Sequence, residues 1–230
     1  MGNLASDRSL AAGRVRATPL RTRDVRGPLA GLVLFWALLG GPASATPEPK
    51  PLDHPAIGAP APPLLARDIG GRSLSLEGLR GRVVVLEWTN PVCPFTAKKY
   101  AKGAMQAVQR NARAAGVVWI TVDTSPAGAP GHLTAAQAKA RLKAVGAMAD
   151  GFILDESGDL GRRYGAKTTP TVFIIDRSGR LAYQGAVDGD PYGEEGPKVM
   201  AFARAALDDL ARGRPIRNAE TRPYGCPVEY

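Results

Sequence analysis

The chain has 230 residues, 44% of them hydrophobic, and a formal net charge of +9 at pH 7. This length favours one domain with tails and suffices to bury a sizeable core. Six arginines precede the first long apolar run, and the other basic residues are scattered rather than interleaved with aromatics, which argues against a nucleic-acid partner. Two cysteines are too few for a fold that is stabilised mainly by disulfide bonds. Neither histidine has neighbours at metal-ligand spacing, so we expect no metal and no cofactor.

The first 45 residues predict a signal peptide. A basic stretch precedes the apolar run 29–39, and Ala43 and Ala45 fit a signal-peptidase site with cleavage before Thr46. The apolar run is shorter than the roughly 20 residues of a membrane-spanning helix. We therefore expect cleavage rather than a retained anchor. The mature protein would be exported, to the periplasm or beyond the cell, with no stable membrane association.

A proline-rich linker over 46–56 is predicted to lead into a single domain, 57–212. The domain opens with a β-hairpin over 64–76 whose turn lies at 68–71. The continuous β-branched run 83–86 then predicts a strand that is buried on both faces of a sheet.

Two helices and a strand are expected next. Pro94 suits the first position of a helix. The buried face of that helix would consist of Ala101, Met105, Val108 and Ala112. A buried strand over 117–122 follows, and Thr134 with Gln137 predicts a capping box at the start of the second helix. That helix would bury Ala135, Ala138, Leu142 and Val145.

The second half of the domain predicts a strand at 152–154, a short helix, and a hairpin. The strands of this hairpin lie at 172–175 and 181–183, and its turn lies at 176–179. Together with the preceding elements, this order indicates an α/β fold in which helices cover both faces of a central mixed β-sheet.

A final helix is predicted from near Pro197 to Gly213. Its buried residues would be Val199, Phe202, Ala206 and Leu210. A polar, proline-containing tail from 213 to 230 follows and carries Cys226.

Cys93 lies where a buried strand passes into a helix. The first amides of a helix are unpaired and its dipole is positive there, so both stabilise a thiolate and lower the pKa of the thiol. A lone cysteine is more commonly buried and inert. Placement alone leaves both interpretations open.

Two segments resemble the thioredoxin superfamily, in its redoxin branch with alkyl hydroperoxide reductase and thiol-specific antioxidant proteins. They are VVVLEWTNPVCPF at 83–95 and YGAKTTPTVFIIDRSGRLAYQG at 164–185. The resemblance extends over about 57–212. It implies a thioredoxin-like fold with an N-terminal β-hairpin extension, and a thiol-based redox activity.

The resemblance also implies roles for individual residues. Cys93 matches the attacking cysteine, and Thr169-Pro170 matches the threonine–cis-proline element that faces it. Glu87 matches a buried acid that moves protons during exchange, although a solvated position at the edge of a strand is equally open. The residues expected to contact substrate are Trp88, Pro94, Thr169 and Pro170.

Three positions depart from the patterns of related families. Thr96 stands where a thioredoxin pair has its second cysteine, so a local dithiol is excluded. Asn90 and Pro170 stand where peroxiredoxins carry a threonine and an arginine that polarise peroxide. These two departures argue against efficient peroxidase activity.

Cys226 lies between Gly225 and Pro227, beyond the last predicted helix. Because peroxiredoxins often resolve their oxidised cysteine with a distant C-terminal one, the resemblance implies that Cys226 resolves Cys93. A static disulfide and a free tail thiol are the alternatives. A functional or structural pair with Cys93 is favoured over two independent thiols.

Two functions from different classes follow. The first is an exported thiol-dependent oxidoreductase that acts on a protein disulfide or a small peroxide, with Cys226 resolving and an external thiol as reductant. The second is a non-catalytic binding module that captures partner proteins in a groove beside Pro170.

Overall fold

The structure of the protein is a computed structural model, which describes residues 54–194 and 201–230. The predicted signal peptide and most of the predicted linker lie outside these residues, and the described end of the linker, 54–56, forms neither helix nor strand. Within the two described ranges, no helix is long and apolar enough to cross a membrane.

Five strands form the central sheet in the order β5–β4–β3–β7–β8. β3 (Val84–Thr89) lies in the middle, parallel to β4 (Val118–Asp123) and antiparallel to β7 (Thr171–Ile175). β5 (Gly151–Leu154) and β8 (Leu181–Gly185) form the edges. The three inner strands are buried at every residue because both faces are covered, which explains why most of their residues are apolar. The predicted mixed sheet is confirmed.

The N-terminal hairpin is also confirmed. β1 (Leu65–Arg67) pairs antiparallel with β2 (Ser73–Ser75). The side chain of Asp68 accepts hydrogen bonds from the backbone N–H groups of Gly70 and Arg72, each at 2.9 Å, and so closes the turn.

The helix that starts at Pro94 is interrupted. α1 (Pro94–Ala101) begins where predicted, but α2 (Ala104–Ala114) is a separate helix. Gly103 adopts a φ of 73° between them, a left-handed conformation that ends one helix before the next begins. The expectation of one continuous buried face was therefore wrong at Ala101, which is exposed. The other three residues of that predicted face, Met105, Val108 and Ala112, are buried.

α5 (Phe202–Ala211) packs on the same face of the sheet as α1 and α2. The expected start near Pro197 and the expected burial of Val199 lie outside the described residues. Ala203, Ala206 and Leu207 are buried, whereas Phe202 and Leu210 are partly buried against the same cluster.

The remaining helices are shorter or more exposed. α3 (Ala135–Ala144) has the predicted capping box, in which the side chains of Thr134 and Gln137 each bond the other's backbone N–H. Its predicted buried face was wrong at Ala135, which is exposed; Ala138 is buried, and Leu142 and Val145 are partly buried. The expected short helix is α4 (Asp159–Tyr164), and a 3₁₀ turn spans Glu77–Leu79.

The tail belongs to the fold. β9 (Cys226–Pro227) pairs antiparallel with β6 (Thr168–Thr169), which immediately precedes β7. Val228 packs against the hydrophobic cluster on the face of the sheet opposite α1, and its N–H donates to the carbonyl of Lys167 at 3.0 Å. The end of the chain is thus held beside the start of α1.

Candidate functional site

Cys93 is the N-cap residue of α1, and its side chain is only 2% exposed. The backbone N–H of Thr96, in the first turn, helps to lower the pKa of the thiol. The thiol in turn donates to the carbonyl of Thr169 at 3.1 Å. Cys93 therefore lies between the unpaired amides of a helix start and the strand that carries the proline element.

Asn90 fixes the loop that leads to Cys93. Its side-chain oxygen accepts from the N–H of Val92 at 2.9 Å, and its carbonyl accepts from the N–H of Cys93 at 3.2 Å. Its amide nitrogen donates to the hydroxyl of Ser125 at 3.3 Å and to the carbonyl of Pro130 at 3.2 Å. Both ends of the Asn90 side chain are thus engaged in holding this loop.

The Thr169–Pro170 peptide bond is cis, as the family resemblance implies, and both residues are buried. The tail covers them. Cys226 lies directly opposite Thr169 in the β6–β9 ladder. Gly225 has a φ of 124°, and a Cβ atom added there would lie 1.8 Å from the carbonyl oxygen of Thr169. Only glycine permits the tail to approach the proline element this closely.

The two thiols are free and interact with each other. Burial alone would raise the pKa of Cys93, but the neighbouring polar groups of Cys226, Thr169 and Thr96 outweigh it, and its pKa lies below the usual value. Burial first, and then the hydrogen bond and charge of Cys93, raise the pKa of Cys226 to about 12. The two shifts run in opposite directions, so Cys93 is the more acidic of the two thiols.

Glu87 lies inside the fold, on the face of the sheet that α1 and α2 cover. Its carboxylate accepts hydrogen bonds from Tyr100 at 3.0 Å, Trp119 at 2.8 Å, Gln109 at 3.2 Å and Thr121 at 3.5 Å. Burial raises its pKa to about 7 despite these four donors. The solvated alternative is excluded. Cys93 is not among its hydrogen-bond partners in the described residues, so its role in proton transfer stays a prediction.

Trp88 is a core residue, and the expectation that it contacts substrate was wrong. Its side chain is 0% exposed, its indole N–H donates to the hydroxyl of Thr124 at 3.1 Å, and its ring packs on Tyr164 and Phe173. Side chains alternate along a strand, so Trp88 points to the face opposite Glu87.

The rim of the site is apolar and open. Pro94, which we expected to contact substrate, is exposed, and Val92 on the other side of Cys93 is 63% exposed. Tyr192, 55% exposed, stacks obliquely on Phe95 with ring centroids 5.6 Å apart. These side chains surround Cys93, which is itself covered.

Comparison with known proteins identifies the family. Residues 57–184 match the AhpC/TSA family. The chain belongs to this family. As an AhpC/TSA protein it is a thiol-dependent oxidoreductase with the thioredoxin-like fold expected from its sequence. No curated protein matches the sequence significantly.

Solved structures share the fold of this AhpC/TSA protein. An uncharacterised conserved protein from Geobacillus kaustophilus has a TM-score of 0.68 at 23% identity, with 76% of this chain and 92% of that chain covered. A hypothetical protein from Sinorhizobium meliloti 1021 has a TM-score of 0.66 at 25% identity, with 76% and 94% covered. A candidate protein disulfide isomerase from Bacteroides thetaiotaomicron has a TM-score of 0.51 at 20% identity, with 69% and 91% covered.

Sequence reasoning missed a buried ion pair beside the site of this AhpC/TSA protein. Lys99 of α1 is 2% exposed and donates to a carboxylate oxygen of Asp188 at 2.8 Å and to the carbonyl of Asp190. Tyr224 donates to the same Asp188 oxygen at 2.7 Å. A lysine within a helix ordinarily predicts a solvated face, so no local signal distinguishes Lys99 from its exposed neighbour Lys98.

Proposed function

We propose that this protein is an exported thiol–disulfide oxidoreductase in which Cys93 attacks and Cys226 resolves. One observation carries the proposal: Cys226 pairs in a β-ladder with Thr169, and the carbonyl of Thr169 accepts the hydrogen bond of the Cys93 thiol. Bridged cysteines need Cα atoms within about 7 Å. Cys93 and Cys226 both contact Thr169, so we expect their approach to need no large movement of the domain.

The reaction would run in two steps. The Cys93 thiolate attacks one sulfur of a substrate disulfide and expels the other as a thiolate, which takes a proton from solvent. Cys226 then gives up its proton and attacks the Cys93 sulfur, and the second substrate thiolate leaves with that proton. Two electrons have passed to the substrate, and the protein holds a Cys93–Cys226 disulfide. Two equivalents of an external thiol return it to the dithiol state.

A polypeptide disulfide fits the site better than a small peroxide. Asn90 already uses both ends of its side chain to hold the loop, so neither end is available to polarise a peroxide. Pro170 brings no charge. The exposed apolar rim formed by Val92, Pro94 and Tyr192 suits contact with a protein surface.

Export is supported by the sequence. The short apolar run at 29–39 precedes Ala43 and Ala45, which fit cleavage before Thr46. We expect protein recovered from the exported fraction to begin at or near Thr46, as N-terminal sequencing would reveal. Recovery of the 29–39 run in that fraction would replace the soluble exported form with an anchored one.

Oxidation tests the pairing directly. A mild disulfide oxidant should convert the reduced protein to a species lighter by about two protons, with a bridged Cys93–Cys226 peptide pair in the peptide map. Cys226→Ser should accumulate Cys93 as a mixed disulfide, and Cys93→Ser should form no internal bond. A stable mixed disulfide on Cys93 in the wild type, with Cys226 a free thiol and no bridged peptide pair, would instead favour a binding module that captures partners beside Pro170.

A further inference from the structure

The tail is anchored just ahead of Cys226 by a buried ion pair. The hydroxyl of Tyr224 donates to an oxygen of Asp188 at 2.7 Å, and the ammonium of Lys99 donates to the same oxygen at 2.8 Å. The Lys99 nitrogen also lies 5.7 Å from the centre of the Tyr224 ring. A hydrogen bond to a charged, poorly solvated acceptor is stronger than one between neutral groups.

This anchor joins the tail to the helix of the nucleophile. Lys99 and Phe95 both belong to α1, whose N-cap is Cys93. The Phe95 ring lies 6.1 Å from that of Tyr224. Tyr224 therefore fixes where the tail lies relative to Cys93, two residues before Cys226 itself.

A second anchor, Tyr230, lies beyond Cys226 and contacts Ala166 and Arg162 instead of α1. The hydroxyl of Tyr230 donates to the carbonyl of Ala166, and the guanidinium of Arg162 lies 5.1 Å from the ring centre. Neither contact involves α1. The two tail tyrosines thus provide a natural comparison, since Tyr224, unlike Tyr230, shares its hydrogen-bond acceptor with Lys99 of α1.

The docked tail and an outside polypeptide compete for one place. With β9 in position, Cys93 is 2% exposed and Pro170 is buried. An outside polypeptide that reaches the Cys93 sulfur has to displace β9, a strand of only two residues. The same displacement removes Cys226 from the sulfur it resolves.

We propose that Tyr224 is a specificity-determining residue, which sets whether oxidised Cys93 is resolved internally by Cys226 or held by an outside polypeptide. The inference rests on the proposed function, because it presupposes that the Cys93–Cys226 bond forms. Anchoring by Tyr224 keeps the effective concentration of Cys226 at the Cys93 sulfur high. It also keeps β9 between that sulfur and other chains.

A cysteine peptide activated as its mixed disulfide with thionitrobenzoate tests this inference. The Cys93 thiolate attacks the peptide sulfur and expels coloured thionitrobenzoate, which reports capture. Cys226 then attacks the Cys93 sulfur and releases the peptide thiol, which mass spectrometry of acid-quenched samples reports as loss of the mixed disulfide.

Tyr224→Phe keeps the ring beside Phe95 and removes only the hydroxyl. We expect capture to become about tenfold faster and the mixed disulfide to last about tenfold longer, since loss of a hydrogen bond to a charged group is worth about this factor. Tyr230→Phe, the matched control, should change both quantities by less than about twofold, the effect expected of a contact that does not involve α1.

The outcomes separate the two proposals. An internal bond in the wild type with unchanged capture and lifetime in Tyr224→Phe would overturn the role of Tyr224 and leave the proposed function standing. Equal changes in Tyr224→Phe and Tyr230→Phe would overturn it too, because they would reflect general loosening. Absence of any internal bond in the wild type would overturn both.

Discussion

Cys93 and Cys226 face each other from regions of the molecule that are built differently. Cys93 caps a helix that follows the central strand of a five-stranded sheet, and its loop is held by both ends of the Asn90 side chain. Cys226 lies on a two-residue strand that is anchored by side chains on either side. Cys93 is fixed by the core, whereas Cys226 is held by a short strand and a few side-chain contacts.

This difference extends to the pKa values of the two thiols. The helix start and the neighbouring donors lower the pKa of Cys93, whereas burial and the adjacent Cys93 charge raise that of Cys226. The region fixed by the core thus holds the more acidic thiol, and the short tail strand holds the less acidic one. In the proposed reaction, attack involves the fixed Cys93, whereas resolution depends on the position of the tail that carries Cys226.

The largest expected effect is on the titration of Cys226. In Cys93→Ser the charge and the sulfur hydrogen bond are lost, so we expect the pKa of Cys226 to fall from about 12 toward its ordinary value of 9.0, with burial retaining part of the shift. Thiolate absorbance near 240 nm against pH measures it. The reciprocal variant Cys226→Ala, which removes the donor, should raise the pKa of Cys93. Unchanged titration of both thiols would show that the sulfurs do not interact in solution.

Glu87→Gln tests how the buried carboxyl group of Glu87 affects the pH dependence of the free energy of unfolding. Burial raises the pKa of Glu87 from 4.5 to about 7, so the folded protein binds the proton more tightly than the unfolded chain and loses stability as pH rises between these values. We expect the free energy of unfolding of the wild type to drop by up to about 3 kcal/mol across this window, relative to Glu87→Gln. Urea unfolding at pH 4.5 and 7.5 measures the difference.

The same Glu87→Gln variant addresses the predicted role in proton transfer. A parallel drop in its disulfide-exchange rate at neutral pH would assign Glu87 that role as well as its part in the fold. Equal pH dependence of unfolding in variant and wild type would mean that Glu87 is not the buried titrating group.

A pair of glycine variants tests how weakly the tail is held. Gly225→Ala puts a methyl group 1.8 Å from the Thr169 carbonyl oxygen, whereas Gly213→Ala, also at positive φ, meets nothing within 4 Å. Both variants carry backbone strain of about 1 kcal/mol, but only the first pushes β9 from β6. We expect a bulky maleimide to alkylate Cys93 about fivefold faster in Gly225→Ala and at the wild-type rate in Gly213→Ala, an effect of about 1 kcal/mol. Equal rates in the two variants would mean that the tail does not cover Cys93.

Local patterns were enough to predict most of the strands and their succession along the chain. The β-branched run of β3, the turn at Asp68 and the capping box at Thr134 each follow from short-range chemistry and were confirmed. The interruption at Gly103 was missed because the apolar spacing continues across it. A glycine in that spacing is tolerated in some helices and ends others, depending on the tertiary contacts around it.

The site was predictable only where a motif marks it. Cys93 and Thr169-Pro170 carry the family pattern. In contrast, a strand that is buried on both faces shows no alternation of apolar and polar residues, so its sequence does not tell whether Glu87 or Trp88 faces α1 and α2. The hydrogen-bond donors to Glu87 lie 13 to 34 residues away in sequence. The path of the tail depends on Lys99 and Asp188, whose pairing spans 89 residues and has no sequence signature.

Thr96 has a consequence for the energetics of the redox couple. It is fully buried in the first turn of α1, and its hydroxyl cannot form a disulfide with Cys93. The couple therefore closes a loop of 226 − 93 = 133 residues instead of a single helical turn. Its reduction potential then includes the free energy of docking the tail. By thermodynamic linkage, a ligand that holds the tail away from β6 disfavours the disulfide and makes the protein a weaker reductant, without touching either sulfur.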